Sequence, residues 1–535
     1  MRFSYTGVVF FIILISVCCF ESSAQSVYPP IRLDSNALRL KTDYLEHINR
    51  TKDQYHGPNI IIILVDDLGK NDITLYDSTG VETPNINKLA SEGVVFTQAY
   101  SASAVCNPSR MGLITGRYPQ RFGGERQIME RYAKNKLEYF VFKHFINTGP
   151  LHLIEPWYSP SRAEIQKQGL PESEVSLFEV MHHAGYKTAC IGKWHLGYNE
   201  PFLPQNRSID YFFGFYEAFS LYAPRQSKEV ENYRHRTFQN RHIWRQQRKG
   251  PSAIVSNGEE VEVKEYLTSR FAAEACQFIR QHENNPFFLY IPFNAPHTPF
   301  QAPKSYCEKY AYLGDKNKQV YHAMISALDD AIGEIMIQVK NSGIEENTLI
   351  FFTSDNGGAT YTGATSNGDL NGGKITQFEG GLNVPFIMKW KGTFDAGKID
   401  DCPVSLMDVF TTSITACHIP SPQNITIDGV DITPHLTGKN PQAPQSYLFW
   451  RTDFNKTVRN GQWKLMLNTR DDSLMLYDLE SDRQEKHDMK SSYPDIIAHL
   501  LEKLAAWEKG MKAPAWPGVM EYEEEINGVK MRFAL

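Results

Sequence analysis

Asn59-Ile60-Ile61-Ile62-Ile63-Leu64-Val65, followed at once by Asp66-Asp67-Leu68-Gly69, decides the architecture. The run is apolar without alternation and rich in β-branched residues. That pattern predicts a strand buried on both faces, as in a parallel sheet. Similar runs recur at Val94 to Phe96, Lys187 to Ile191 (KTACI), Phe287 to Pro292 (FFLYIP), Leu349 to Thr353 (LIFFT) and Val384 to Trp390. Between them, apolar spacing predicts helices opening at Thr83-Pro84-Asn85, around Leu177 to His183, at about Val263 to Gln281 and over Val320 to Val339. Strands alternating with helices predict an α/β fold whose large mixed sheet is mostly parallel and flanked by helices. The texture changes near residue 445. Tyr447 to Trp450, Thr457 to Arg459, Trp463 to Leu467 and Leu474 to Tyr477 read as short strands around turns such as Asn460-Gly461. Tyr493 to Lys509 then reads as a helix. A smaller C-terminal α+β domain of antiparallel sheet plus helix is therefore expected.

Ligands of such sheets bind beyond the carboxyl ends of the strands. Four apolar runs end in polar sets: Asp66-Asp67, Lys193 with His195, His297, and Asp355-Asn356. Their convergence on one rim is expected from topology alone. Asp66, Asp67, Asp355 and Asn356 offer only oxygen donors, which suit Ca²⁺ or Mg²⁺ rather than Zn²⁺. Three carboxylates on one rim would also repel one another without a cation. Taken singly, each pair reads equally well as a loop start or helix cap. Lys193 and His195 stand in a turn between Gly192 and Gly197, His297 between prolines, and Lys374 after Gly372-Gly373.

A further stretch leads into the rim: Cys106-Asn107-Pro108-Ser109-Arg110-Met111-Gly112-Leu113-Ile114-Thr115-Gly116-Arg117. Pro108 suits a first helical turn. A helix start presents free N–H groups and partial positive charge, and Arg110 adds a full one. A thiol placed there is expected to have a lowered pKa.

The C-x-P-S-R set at Cys106, followed by Thr115-Gly116-Arg117, resembles the signature of the formylglycine-dependent sulfatases of the alkaline phosphatase superfamily. The resemblance runs from Asn59 to about Met489, through Gly192-Lys193-Trp194-His195-Leu196-Gly197, Asp355-Asn356-Gly357 and Glu379-Gly380-Gly381. It implies that Cys106 is oxidised to formylglycine by a formylglycine-generating or anaerobic maturase enzyme. It implies one Ca²⁺ held by Asp66, Asp67, Asp355 and Asn356 beside the modified Cys106. Arg110 and Lys193 would hold the aldehyde hydrate, and Lys193, Lys374 and the metal would grip sulfate. A hydrate hydroxyl would attack sulfur, with His297 as general acid for the departing sugar oxygen and also contacting substrate. A covalent enzyme–sulfate intermediate would then break down as His195 takes the second hydroxyl's proton. Competing readings are a formylglycine-dependent phosphodiesterase or phosphonate hydrolase, and a catalytically silent polysaccharide-binding protein whose Cys106 is never converted. A dizinc phosphatase would need more histidine ligands.

The 535 residues, 41% hydrophobic, leave room for more than one domain. Residues 1–24 read as a secretory signal, which predicts a periplasmic or secreted protein. Cys18 and Cys19 raise lipidation, but Val17 is a poor residue before a lipidated cysteine. Residues 25–57 are expected to form an N-terminal arm, 58–444 the catalytic domain and 445–535 the C-terminal subdomain. No later segment is apolar enough to span a membrane. The formal net charge of −6 gives no general pull on polyanions, so no nucleic-acid partner is expected and any attraction for an anionic substrate must be local. Removing Cys18, Cys19 and Cys106 from the eight cysteines leaves five, with Cys402–Cys417 one conceivable bridge.

Two stretches suggest where specificity resides. Residues 125–168 are long for a connection and carry Tyr132, Tyr139, His152, Trp157, Tyr158 and Arg162. Residues 225–249 hold eight Arg and Lys against Glu229 and Glu231. Such a run is often only a solvated face. Here Arg234, Arg236, Arg241 and Trp157 are the expected contacts to a sulfated polysaccharide or oligosaccharide, such as a marine galactan or fucan.

Overall fold

The computed structural model describes residues 34–535 except 130–132, 134, 156, 158 and 166. The expected signal at 1–24 lies outside the described residues, as do Tyr132, Tyr158 and the Arg162 side chain. Asn59–Asp66 forms a fully buried strand, and both of its neighbours run parallel to it. Five parallel strands, in the order Thr348–Ser354, Asn59–Asp66, Phe287–Pro296, Lys187–Lys193 and Tyr211–Phe215, make the heart of a ten-stranded mixed sheet. Antiparallel pairing enters on both sides, at Phe386–Trp390 and Val255–Ser256. Helices Leu267–His282 and Lys316–Asn341 pack on one face around Ile61, Ile63 and Val65. Helices Cys106–Thr115 and Leu177–His183 lie on the other, around Ile60, Ile62 and Leu64. This two-sided burial is why the strand's sequence shows no alternation.

The N-terminal arm contains a helix that its polar composition concealed. Ser35–Thr51 is capped by Asp34, whose Oδ1 accepts from the Ala37 N–H at 3.0 Å. It buries Leu45 and Ile48, and Lys41 reaches Glu179 at 2.5 Å. Three apolar or long side chains one and two turns apart suffice to dock it.

The C-terminal sheet is four antiparallel strands, Tyr447–Thr452, Asn455–Asn460, Trp463–Asn468 and Ser473–Asp478, covered by helix Pro494–Glu508. Beyond it, Met520–Ile526 and Val529–Ala534 form a hairpin. The turn is Asn527-Gly528, with φ of 52° and 78°, as a two-residue hairpin turn requires. The hairpin pairs with Leu151–Leu153, so the long 125–168 connection is stitched into the C-terminal part of the chain. Cys402 and Cys417 are both free thiols, so the bridge between them does not form.

A buried ionic cluster joins the two parts. Lys464 of the C-terminal sheet lies 2.9 Å from Glu379 and 2.8 Å from Glu485, all three without solvent contact. The Tyr100 hydroxyl also donates to Glu379, at 2.8 Å. Burial pushes Glu485 up to about 7 despite Lys464, while the charges of Lys464 and Arg459 outweigh burial and hold Glu379 down at about 2. Removing the lysine leaves buried carboxylates unpaired. Lys464→Met is therefore expected to cost about 3–5 kcal/mol, measured by urea denaturation at neutral pH. A loss below about 1 kcal/mol, the level of an exposed ion pair, would show that the cluster does not hold the interface.

Candidate active site

Four of the five parallel strands, all but Tyr211–Phe215, deliver polar ends to one rim. Adjacent residues of a strand point to opposite faces, so Asp66 and Asp67 share a site only because the chain turns between them. Asp67 has φ of +61°, a conformation tolerated by Asp more readily than by most residues. The turn is fixed by the neighbouring strand: the Asp67 N–H donates to Asp355 Oδ1 at 3.3 Å and the Leu68 N–H to Ser354 Oγ at 3.1 Å. Both aspartates are buried.

Cys106 is the first residue of helix Cys106–Thr115, and every residue of that helix is buried. Arg110 is one turn on, so both face the rim. Cys106 Sγ lies 3.5 Å from Asp66 Oδ1 and 3.1 Å from Lys374 Nζ. Arg110 Nε donates to Asp355 Oδ2 at 2.9 Å, and its Nη1 donates to the Lys193 carbonyl at 3.0 Å. Lys193 Nζ is 2.7 Å from Asp66, and Lys374 Nζ is 2.8 Å from Asp67. Lys374 is carried by a loop that packs backbone on backbone. A Cβ at Gly357 would stand 1.7 Å from the Gly380 carbonyl, so only glycine fits there.

Two histidines complete the set. His297 Nε2 faces Asp67 at 3.6 Å, while Nδ1 lies 2.5 Å from the Thr298 carbonyl. His195 Nε2 lies 3.0 Å from Gln127 Nε2, and its Nδ1 has no hydrogen-bond partner. Gln127 was missed by sequence reasoning, as was Tyr222. The Tyr222 hydroxyl donates to the His297 carbonyl at 2.7 Å and clamps that segment. A lone glutamine and a lone tyrosine carry no pattern by which either could have been found.

The electrostatics refine one expectation and correct another. Each of the three carboxylates has a cationic partner, Asp66 with Lys193, Asp67 with Lys374 and Asp355 with Arg110, which offsets part of the repulsion expected among them. The Cys106 thiol does not show the lowered pKa expected of it. Burial pushes it up, and Asp355 and Asp66 add to that, beyond what Lys193 and Lys374 recover. Burial also raises Asp355, to about 6, with the Asp66 charge contributing. Burial would raise Asp66 too, but Lys193, His297 and Arg110 hold it well below the usual carboxylate range.

The donor set fits a hard cation. Asp66, Asp67, Asp355 and Asn356 supply oxygen only, and Asn356 Oδ1 is buried with no hydrogen-bond partner. The ligand atoms of Asp66, Asp67, Cys106 and His297 lie within 4.8 Å of one another.

Outside this rim the expected contacts divide. Trp157 donates its indole N–H to the Ala133 carbonyl at 3.2 Å, within its own connection. Arg234 and Arg241 line one cavity, which Arg236 does not.

A sulfatase family model matches residues 58–419, and one for the C-terminal region of N-sulphoglucosamine sulphohydrolase matches residues 373–510. The chain belongs to the sulfatase family. This sulfatase is 34% identical to rat (Rattus norvegicus) N-acetylgalactosamine-6-sulfatase over 419 residues, covering 77% of this chain and 72% of the rat protein. Among solved structures, Ps i-CgsB in complex with k-i-k-neocarrahexaose superposes with a TM-score of 0.71 at 28% identity, over 86% of this chain and 95% of that one. PsFucS1 sulfatase from Pseudoalteromonas sp. gives 0.65 at 25% identity, over 90% and 96%.

His195 is fully buried. Burial, followed by the charges of Lys193 and Arg110, lowers its pKa well below the ordinary value. The uncharged ring is therefore favoured in the substrate-free protein. In ¹⁵N-histidine spectra its signals are expected to stay in the neutral form between about pH 5 and 8, where an ordinary imidazole titrates. A transition within that range, absent in His195→Gln, would contradict this.

Proposed function

We propose that this sulfatase hydrolyses sulfate esters of a sulfated carbohydrate, using formylglycine made from Cys106 by a formylglycine-generating or anaerobic maturase enzyme. The observation that carries the reading is geometric: the buried Cys106 Sγ lies 3.1 Å from Lys374 Nζ and 3.5 Å from Asp66, the carboxylate that Lys193 holds at 2.7 Å. A thiolate nucleophile is disfavoured there, whereas a hydrated aldehyde supplies a second hydroxyl whose ionisation can expel sulfate. Asp66, Asp67, Asp355 and Asn356 would hold one Ca²⁺, which supplies positive charge beside the sulfuryl oxygens. The carbohydrate substrate is supported by relatives whose names specify N-acetylgalactosamine 6-sulfate and by the neocarrahexaose complex of Ps i-CgsB. A periplasmic or secreted location fits such a substrate. Among the described residues no helix is long and apolar enough to cross a membrane. We assign residues 58–444 to the catalytic unit and 445–535 to the subdomain that backs it.

The chain's own groups divide the work. Lys193 and Lys374 hold the sulfate oxygens, exchanging their aspartate partners for the ester. Arg110 orients Asp355 and favours its charged form against burial. His297 donates a proton to the departing sugar oxygen. In the substrate-free protein burial, followed by the Lys374 charge, lowers His297 to about 4. The anionic ester arriving beside it favours the protonated ring. Burial favours the uncharged form of His195 in the substrate-free protein, which suits a group that accepts a proton later in the cycle.

The test is turnover of an aryl sulfate against a phosphate diester, before and after chelation by EDTA. Sulfate release is expected to dominate by at least about 10²-fold, to vanish on chelation and to return with Ca²⁺. His297→Ala should lose about 10²–10⁴-fold on an alkyl or sugar sulfate and far less on an aryl sulfate, whose phenol leaves without help. Faster cleavage of the diester favours the phosphodiesterase reading. Equal losses on both sulfates contradict the role of His297.

A further inference from the structure

Next to the His297 segment the chain builds a second basic site. Residues Phe238–Gln246 form a helix with Thr237 as its N-cap. Positions four apart share a stripe, so Arg241 and Arg245 lie on one line and Asn240 and Trp244 on the next. Ile243 and Trp244 anchor the helix against Phe219 and Leu221. Arg225 and Arg234 approach from either end of strand Val230–Tyr233, and the four arginines with His235, Asn240 and Trp244 line a cavity of about 260 Å³.

Three features distinguish this cavity from a solvated basic face. First, none of the four arginines forms an ion pair among the described residues, and Glu231, one of the two acids in the segment, is held instead by Lys316 at 2.9 Å. Second, the Arg234 guanidinium carbon lies 4.1 Å from the centre of the Trp244 ring, a cation–π contact that holds its charge at the cavity wall. Third, the cavity is lined by polar groups without partners. Asn240 and Trp244 are only 3% and 4% exposed, yet Asn240 Oδ1 and Trp244 Nε1 have no hydrogen-bond partner, nor has His235 Nε2. Buried polar atoms are rarely left unpaired without a ligand or water to receive them. Free guanidinium groups beside an unpaired indole N–H match the oxygens of an oxyanion, while the Asn240 oxygen suits a sugar hydroxyl.

The cavity is joined to the reaction centre by continuous packing. Strand Val230–Tyr233 pairs with Phe300–Pro303, and the His235 ring lies 5.3 Å from that of Phe300. Phe300 is three residues beyond His297, on the order of 10 Å of extended chain. Arg248, just past the helix, donates to the Leu221 carbonyl at 2.9 Å, next to the Tyr222 that clamps His297.

We propose that this cavity binds a second anionic group, a sulfate or a carboxylate, on the same oligosaccharide whose sulfate ester lies beside Cys106. The inference rests on the sulfatase reading of the rim and names the substrate class further: a chain with anionic groups on successive sugars. Arg225 and Arg245 join Arg234 and Arg241 as specificity determinants, and Arg236 does not.

The test uses the whole mature enzyme and aryl sulfate as reporter. Inorganic sulfate, which needs only the reaction centre, is compared as inhibitor with three oligosaccharides: a carrageenan hexasaccharide bearing sulfates only, a hyaluronan hexasaccharide bearing carboxylates only, and a chondroitin sulfate hexasaccharide bearing both. In Arg234→Glu/Arg241→Glu, the inhibition constant of the preferred oligosaccharide is expected to rise at least tenfold more than that of inorganic sulfate. Arg236→Glu should change the two by similar factors, and a melting curve confirms that each variant folds. The hexasaccharide that shows the effect identifies the anion. Parallel changes for oligosaccharide and inorganic sulfate would overturn the proposal, as would a panel in which no hexasaccharide binds more tightly than inorganic sulfate. If wild type fails to cleave aryl sulfate at all, the sulfatase reading fails instead. Calorimetric binding of the same hexasaccharides to wild type and variant then decides the cavity separately.

Discussion

Three carboxylates and three cationic side chains are sealed together at the carboxyl end of one parallel sheet. Asp66, Asp67 and Asp355 are matched by Lys193, Lys374 and Arg110 over 2.7–2.8 Å, with almost no water reaching them. Taking six charges out of water costs several kcal/mol per ion, and only close pairing offsets it. The surrounding fold answers that demand. Four strands and a helix start must end together, and each ion must sit on a backbone that cannot move. The left-handed turn at Asp67, the bare backbone contact of Gly357 with Gly380, and the hydrogen bond from Arg110 to the Lys193 carbonyl serve this end.

The balance also explains how an anion is received. The six charges sum to zero as they stand. A divalent cation among the carboxylates would leave about two positive charges in excess, of which an arriving sulfate ester, a monoanion, could neutralise one. Lys193 and Lys374 would then exchange one anionic partner for another rather than being desolvated anew. Preorganised charge of this kind costs little reorganisation during the reaction. The free arginines of the 225–245 cavity follow a different design, since they carry unbalanced charge at the surface where a long substrate can be steered and held.

Much of this was legible in the sequence. An unalternating β-branched run ending in Asp66-Asp67 can hardly be anything but a central parallel strand, and strand–helix alternation places the other polar sets on the same rim. The Cys106 stretch is specific because it combines a helix start with residues at fixed offsets. What the sequence hid was hidden for physical reasons. Met520–Ile526 is full of glutamate and shows no strand propensity, although Asn527-Gly528 marks its turn. Helix Ser35–Thr51 docks through so few buried residues that its composition reads as polar. The thiol was expected to be activated because a helix start and Arg110 were visible, whereas the burial that outweighs them was not. Charge counting marked the 225–249 run, but only the structure puts Arg241 and Arg245, on one stripe of helix Phe238–Gln246, into the cavity and leaves Arg236, ahead of that helix, out.

Every strand of the account meets at the side chain of residue 106. A buried thiol among carboxylates makes a poor nucleophile, and the proposed reaction instead uses an oxygen nucleophile at this position. Mass analysis of the peptide bearing Cys106, taken from enzyme of known specific activity, tests this most directly. An aldehyde in place of the thiol, in a fraction that rises and falls with activity, is the predicted result. An unmodified thiol in fully active enzyme would contradict it.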